Sequence, residues 1–252
     1  MLGTEALLFV AFAMFSAGLV KGLIGLGLPA MSLGLMMLAI DLKQAIVILL
    51  IPLLVTNLWQ GLVGGHMLAI IKRLWPLLFF GAVTIWISVG LMVKTDTAIL
   101  SVALGIILFG YASYGLIMPQ IWFPKRLELI ISPLVGGISG TLAGLTGSLS
   151  VPAVFYMQAL GMGRDALIQA MGIWFCLGSI MLSAALGGRN ALPTDLAIIS
   201  AGAVVPAIIG MELGRQIRHG FSEKLFQKMF FSILLILGTY IAVRNSVKFL
   251  TL

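Results

Sequence analysis

The chain has 252 residues, 61% of them hydrophobic and only 9% charged, and its mean hydropathy is +1.17. Soluble domains carry roughly 25% charged residues, so this composition excludes a water-soluble globule and predicts an integral membrane protein. The net charge of +7 is typical of loop lysines and arginines that orient a membrane protein and contact anionic lipid, and we expect no nucleic-acid partner.

Two groups of hydrophobic segments follow one another along the chain. A membrane-spanning helix needs ~20 apolar residues, and these segments lack the period-two alternation of a barrel strand. We therefore predict an all-α transmembrane bundle in which each group has one glycine-broken helix, re-entrant or discontinuous, followed by three spans. The first group comprises residues 5–40, 44–64, 74–93 and 97–118, and the second comprises residues 129–161, 166–187, 195–213 and 224–243.

The first hydrophobic segment is interrupted by Gly22, Gly25 and Gly27, with Pro29 close behind. Proline suits the first turn of a helix, so a new helix is expected to start here, and its free N–H groups attract anions. Lys21 stands beside this break in an uncharged region, where a buried lysine costs ~2.5–3.5 kcal/mol. We interpret Lys21 and the three glycines as substrate-binding residues; helix packing by the glycines and snorkelling by the lysine are the alternatives.

Two amides lie on one face of the next span. Asn57 and Gln60 are three residues apart and are candidate substrate-binding residues. Interhelical hydrogen bonding is an equally good explanation for such amides.

The second break carries hydroxyl groups among its glycines. Thr146, Gly147, Ser148 and Ser150 precede Pro152, and the hydroxyls can donate hydrogen bonds to the oxygens of an anion. We interpret these four residues as substrate-binding, with interhelical hydrogen bonding as the alternative.

The two breaks belong to an internal repeat. Gly18, Gly22 and Gly25 recur at a constant offset of 122 residues. The later copies are Gly140, Gly144 and Gly147. We therefore divide one integral membrane domain into a first repeat, residues 1–124, and a second repeat, residues 125–252. The small-residue pairs Gly61/Gly65 and Gly210/Gly214 are predicted to serve helix packing.

The distribution of basic residues favours inverted repeats. If each broken segment is a hairpin, nine basic residues face one side and five the other, whereas single crossings give seven on each side. The hairpin arrangement places the loops 66–73, 119–128 and 214–223 in the cytoplasm and both chain ends outside. Trp75 and Trp122 fit the membrane interface at the cytoplasmic face. Inverted repeats are common in transporters with a site near the membrane midplane.

Enzyme chemistry is not supported by the sequence. The eight acidic residues are scattered, and His66 and His219 lie in separate loops without other metal ligands nearby. We expect no catalytic residues, no metal site and no cofactor. Glu212 is predicted to pair with Arg215 at the end of a span.

The segments AGLVKGLIGLG near the start and GISGTLAGLTGSLSVPAVFYMQALGMGRDAL at 137–167 resemble the TauE/SafE family of sulfite and organosulfonate permeases. The resemblance extends over essentially the whole chain. It implies a permease of the inner membrane, an exporter of a small sulfur-containing anion such as sulfite, sulfoacetate or another organosulfonate.

Alternatives to a carrier stay open at this point. An anion channel of the same architecture and a membrane subunit of a larger transport complex fit the same sequence. The expected partners are the anionic substrate and the lipid bilayer, and a homodimer is compatible with the sequence.

Overall fold

A computed structural model describes residues 2–117, 125–217 and 223–250. Within these ranges every regular element is helical. The α-helices are α1 (Thr4–Ile24), α2 (Leu28–Met36), α3 (Leu42–Leu62), α4 (Met67–Lys94), α5 (Thr97–Ile117), α6 (Glu128–Thr146), α7 (Ala153–Ala159), α8 (Arg164–Gly187), α9 (Thr194–Ile217) and α10 (Glu223–Leu250). Among the described residues, eight helices are long and apolar enough to cross a membrane, all but α2 and α7. The predicted all-helical membrane architecture is confirmed at this level.

Glycines in the left-handed conformation end α1 and α6. Gly25, at φ +80°, follows α1, and its N–H donates to the carbonyl of Lys21 over 2.8 Å. Gly147, at φ +74°, follows α6, and its N–H donates to the carbonyl of Ala143 over 2.7 Å. Glycine takes this conformation without the steric cost that a Cβ would bring. Each long helix therefore stops inside a hydrophobic stretch, and a shorter helix, α2 or α7, follows it.

The helices form two compact units that do not follow the two halves of the sequence. One unit holds α1, α2, the first half of α3, α5, α9 and α10. The other holds the second half of α3 together with α4, α6, α7 and α8. In the first unit α1 packs on α9 and α5 on α10, and in the second α4 packs on both α6 and α8. Each unit thus draws helices from both halves of the chain.

Glycine faces bring α1 and α9 together in the first unit. A Cβ added to Gly18 or Gly22 would collide with the backbone of α9, and one added to Gly210 or Gly214 would collide with the backbone of α1. Only residues without a side chain permit such a close approach of two helix backbones. The packing role predicted for Gly210 and Gly214 is confirmed.

The other predicted packing pair is only half right. Gly61 lies against Gly172 of α8, where an added Cβ would approach the Gly172 carbonyl carbon to 3.3 Å. Gly65 follows the end of α3 with φ +73° and has no atom within 4 Å of an added Cβ. The packing prediction for Gly65 was therefore wrong, because this glycine serves a turn.

Several helix boundaries differ from the sequence prediction. Helix α4 begins at Met67 rather than at residue 74, so Lys72 and Arg73 lie inside it and not in a loop. Helix α9 continues to Ile217, and its last turns carry the predicted ion pair between Glu212 and Arg215, with an N···O distance of 2.9 Å. Trp122, His219 and most of the loop 119–128 lie outside the described residues.

Candidate functional site

The segment between α6 and α7 holds four of the predicted site residues. The Thr146 hydroxyl donates to the carbonyl of Leu142 over 2.7 Å and accepts the N–H of Ser148 over 3.3 Å. Gly147 follows in the left-handed conformation, and the peptide bond between Val151 and Pro152 is cis. Thr146, Gly147, Ser148 and Ser150 are therefore brought together in one short stretch of the second unit.

Two hydroxyls in this stretch are buried and make no hydrogen bond with the described part of the chain. They belong to Ser148 and Ser150, whose side chains are each 1% exposed. A buried polar group without a partner costs ~1–3 kcal/mol, and most such groups in proteins are satisfied. A polar ligand at this position would remove the cost.

Helix α8 contacts the segment between α6 and α7 at Leu149. The indole N–H of Trp174 donates to the carbonyl of Leu149 over 2.7 Å. The Leu149 side chain lies against Gly178, where an added Cβ would leave it no room. Because Leu149 is fixed on both its backbone and its side chain, the serines on either side of it are held in place.

Arg73 of α4 connects the two ends of the α6–α7 segment. Its guanidinium donates to the carboxylate of Glu128, the first residue of α6, over 2.8 and 2.6 Å. The same guanidinium donates to the carbonyl of Leu160, just after α7, over 3.1 Å. One guanidinium spans only a few ångströms, so the chain leaves along α6 and returns through α7 to the level where it started. Sequence reasoning assigned Arg73 to a loop and missed this contact.

The first break lies in the other unit. Lys21 is in the last turn of α1 and is 5% exposed, and Gly22 beside it packs against the backbone of Met211. A Cβ on Gly25 would have no atom within 4 Å, whereas one on Gly27 would meet the ring of Phe230 at 2.7 Å. Of the three glycines, Gly25 alone therefore borders open space.

The ends of the first broken segment also return to a common level. Leu2, before α1, and residues 37–40, after α2, line one cavity of 270 Å³. Asp41 and Gln44 at the start of α3 and Thr97 at the start of α5 line the same cavity. The start of α1 and the start of α3 therefore lie together, as expected when α1 and α2 form a hairpin.

The two amides on α3 have protein partners. Asn57 is fully buried and its amide donates to the carbonyl of Leu53 over 2.7 Å. Gln60 donates to the carbonyl of Ile168 on α8 over 2.9 Å. Gln169 of α8 makes the reciprocal contact. Its side chain donates to the carbonyl of Gly61 over 3.0 Å and accepts a hydrogen bond from the N–H of His66. Sequence reasoning missed this residue. The contact of Gln60 with α8 is the interhelical hydrogen bond that the sequence analysis gave as the alternative to substrate binding.

In the described ranges no three His, Cys, Asp or Glu side chains lie close enough to hold a metal ion. The geometry instead offers hydroxyl donors at one helix break and a buried ammonium group at the other. Together with the eight candidate spans in the described part of the chain, these features define the class of a polytopic membrane protein.

A family model described as Sulfite exporter TauE/SafE matches residues 10–241, nearly the whole chain. The protein belongs to this family and is a multi-pass membrane transporter. A search of curated proteins finds no match. No solved structure matches either.

Proposed function

We propose that this transporter exports a small sulfur-containing oxyanion, such as sulfite, sulfoacetate or another organosulfonate, and that the α6–α7 break binds it. The observation that carries the proposal is the pair of buried hydroxyls on Ser148 and Ser150, which have no hydrogen-bond partner in the described structure. The family match supports the class of substrate.

Hydroxyl groups suit a substrate that must be released again. Each serine donates one hydrogen bond to an oxyanion oxygen, and a hydrogen bond to a charged group contributes ~1.5–3 kcal/mol. Thr146 is already committed to the carbonyl of Leu142, so its role is to hold the Ser148 N–H and with it the loop. The proposed binding groups are thus Ser148 and Ser150, positioned by Thr146 and Gly147.

The first break is proposed to supply positive charge to the transport path. Lys21 is buried in the last turn of α1 beside Gly25, which borders open space. The negative end of the α1 dipole also stabilises an ammonium group at this point, which lowers the cost of keeping it in the membrane. We therefore retain Lys21 and Gly25 as binding residues and assign Gly22 and Gly27 to packing around them.

We further propose that both broken segments are hairpins and that the two halves of the chain are inverted. The contacts of Arg73 support the second hairpin, and the cavity shared by Leu2 and residues 37–40 supports the first. Three candidate spans, α3, α4 and α5, separate the two broken segments, so the second hairpin would open to the membrane face opposite the first. With the basic loops in the cytoplasm, both chain ends face the outside of the inner membrane.

Purified protein in sealed lipid vesicles tests the proposed function. Vesicles loaded with ³⁵S-sulfite or labelled sulfoacetate should release the label faster than protein-free vesicles, and unlabelled sulfite outside should accelerate the exchange. Release no faster than from protein-free vesicles for every sulfur anion tried would refute the proposed substrate class.

A further inference from the structure

A polar cavity lies near the C-terminal end of α10 in the first unit. The 270 Å³ cavity that contains the ends of the first hairpin is polar on one wall, where Asp41, Gln44, Thr97, Arg244 and Asn245 line it. Arg244 and Asp41 carry opposite charges and are both exposed. Within the described residues they form no ion pair with each other, so both charges remain available to a ligand.

An apolar groove of 510 Å³ meets this cavity at Arg244. It follows one stripe of α10 formed by Leu235, Ile236, Thr239, Tyr240 and Val243, and Arg244 closes its end. At 1.5 Å per residue the stripe is about 13 Å long. The guanidinium of Arg244 lies 5.9 Å from the centre of the Tyr240 ring, which directs it over the top of the groove.

The combination of charges excludes a simple anion as the ligand. An oxyanion attracted by Arg244 would be repelled by the carboxylate of Asp41 in the same small cavity. A zwitterion satisfies both groups, with its anionic part on Arg244 and its cationic part on Asp41. Among zwitterions, the adjoining apolar groove selects one that carries a hydrocarbon chain.

We propose that this end of the first unit binds a phospholipid with a primary-amine headgroup. Its phosphate accepts hydrogen bonds from Arg244, whose planar guanidinium matches phosphate oxygens in pairs. Its ammonium group donates to Asp41, and one acyl chain lies along the stripe from Val243 to Leu235. Tyrosine and arginine at the end of a membrane helix are the residues expected at the headgroup level.

The distinctive feature of this site is the carboxylate. Arginine alone attracts any phospholipid, but Asp41 distinguishes an ammonium group, which can donate hydrogen bonds, from a trimethylated choline, which cannot. The site therefore predicts a preference for phosphatidylethanolamine over phosphatidylcholine. Because both charges are solvent-accessible, the expected preference is about two- to fivefold.

Mass spectrometry of retained lipid tests the proposal. The protein is solubilised from vesicles of equal phosphatidylethanolamine and phosphatidylcholine, and the ratio of the two lipids that remain bound is measured. Wild type should retain the ethanolamine lipid at about two to five times its bulk ratio. Asp41→Asn should return the ratio to one, and Arg244→Gln should reduce retention of both lipids.

Arg189→Gln is the matched control, because Arg189 also lies over an aromatic ring, Trp86 at 5.1 Å, but lines neither the cavity nor the groove. It should keep the wild-type lipid ratio. Soluble glycerophosphoethanolamine added in excess should not displace the lipid, since it lacks the chain. An unchanged ratio in Asp41→Asn, equal retention of both lipids by wild type, or displacement by the soluble headgroup would each overturn the proposal.

Discussion

Ser148 and Ser150 differ from Ser32, Ser179 and Ser200 in what their hydroxyls contact. Ser32 and Ser179 donate to carbonyls of their own helices, and Ser200 donates to the carbonyl of Ile48. Such bonds satisfy a serine inside an apolar helix without any ligand. The two serines at the α6–α7 break have no such bond in the described structure. Ser139, inside α6, has none either, so we assign binding to Ser148 and Ser150 because they combine an unsatisfied hydroxyl with a place at the break.

Replacing these serines by alanine should separate stability from binding. Without anion, Ser148→Ala and Ser150→Ala should each raise the unfolding temperature, because an unsatisfied group costing ~1–3 kcal/mol is removed. Sulfite affinity should fall by roughly tenfold or more for each change, as a hydrogen bond to the anion is lost. Thermal unfolding and anion titration in detergent give both quantities, with Ser179→Ala as the satisfied control. Wild-type affinity in both variants would contradict the assignment.

Lys21 can be tested independently of the serines. If its ammonium group contributes to anion binding, Lys21→Met should lower affinity by roughly ten- to a hundredfold while the protein still inserts. Lys21→Arg should be intermediate, because the charge is kept in a different geometry. Equal anion affinity in wild type and Lys21→Met would leave the lysine with a structural role at the end of α1.

The sequence shows which polar side chains lie at the two breaks. It does not show which of these side chains are already hydrogen-bonded to other parts of the protein. Glycines followed by proline located both helix ends, because only glycine enters the left-handed conformation without strain. Residue type alone does not distinguish the Thr146 hydroxyl, which is hydrogen-bonded within its helix, from the Ser148 hydroxyl, which is not. It also hid Gln169, whose partners come from the end of α3 about a hundred residues earlier in the chain.

Between helices, the decisive feature is backbone contact through glycine. In the second unit Gly136, Gly140 and Gly144 of α6 face the backbone of α4, as Gly18 and Gly22 of α1 face that of α9. The breaks are therefore reached by helices that pack unusually closely just before they end. Packing and the proposed ligand binding, which the sequence analysis gave as alternatives, would therefore belong to successive turns of the same helix.

A pair of alanine substitutions on α6 tests this packing. Gly140→Ala places a Cβ against the Gly81 carbonyl and should destabilise the protein by ~1–3 kcal/mol. Gly137→Ala, on the same helix, meets only the Thr84 methyl at 3.9 Å and should be neutral or stabilising by up to ~1 kcal/mol. Thermal unfolding in detergent measures both. Equal effects from the two changes would show that close packing of α4 on α6 is not the constraint.

The predicted start of α4 was wrong because charged residues were assigned to a loop. Lys72 and Arg73 suggested that the span starts after them, yet α4 begins at Met67. Arg73 is accommodated inside the helix because Glu128 and the carbonyl of Leu160 satisfy it. Such a partner comes from a distant part of the chain, so hydropathy alone could not reveal it.

At the scale of the whole molecule, the two predicted sequence repeats and the two compact units divide the chain differently. Helices α9 and α10 of the second half belong with α1 and α2, and α4 of the first half belongs with α6 and α7. Repeats of sequence mark which helices are equivalent, whereas packing is decided by which faces meet. Neither hydrophobic periodicity nor the distribution of charge predicts that helices of one half of the chain pack with helices of the other half.

Membrane orientation is tested by cysteine labelling in intact cells, in a Cys176→Ala background that removes the single native thiol. Asp96→Cys, between α4 and α5, should react with an impermeant maleimide added outside. Arg126→Cys, just before α6, should react only after the membrane is opened. Labelling of position 126 from outside would be incompatible with the proposed hairpins and inverted halves.

The central claim is that a sulfur oxyanion moves through this protein by way of the α6–α7 break. The most direct measurement is exchange of ³⁵S-sulfite across vesicles that contain wild type, the Ser148→Ala/Ser150→Ala double variant or Ser179→Ala. We predict exchange by wild type and Ser179→Ala, and a loss of at least tenfold in the double variant at subsaturating sulfite. Wild-type exchange by a folded double variant would contradict the claim.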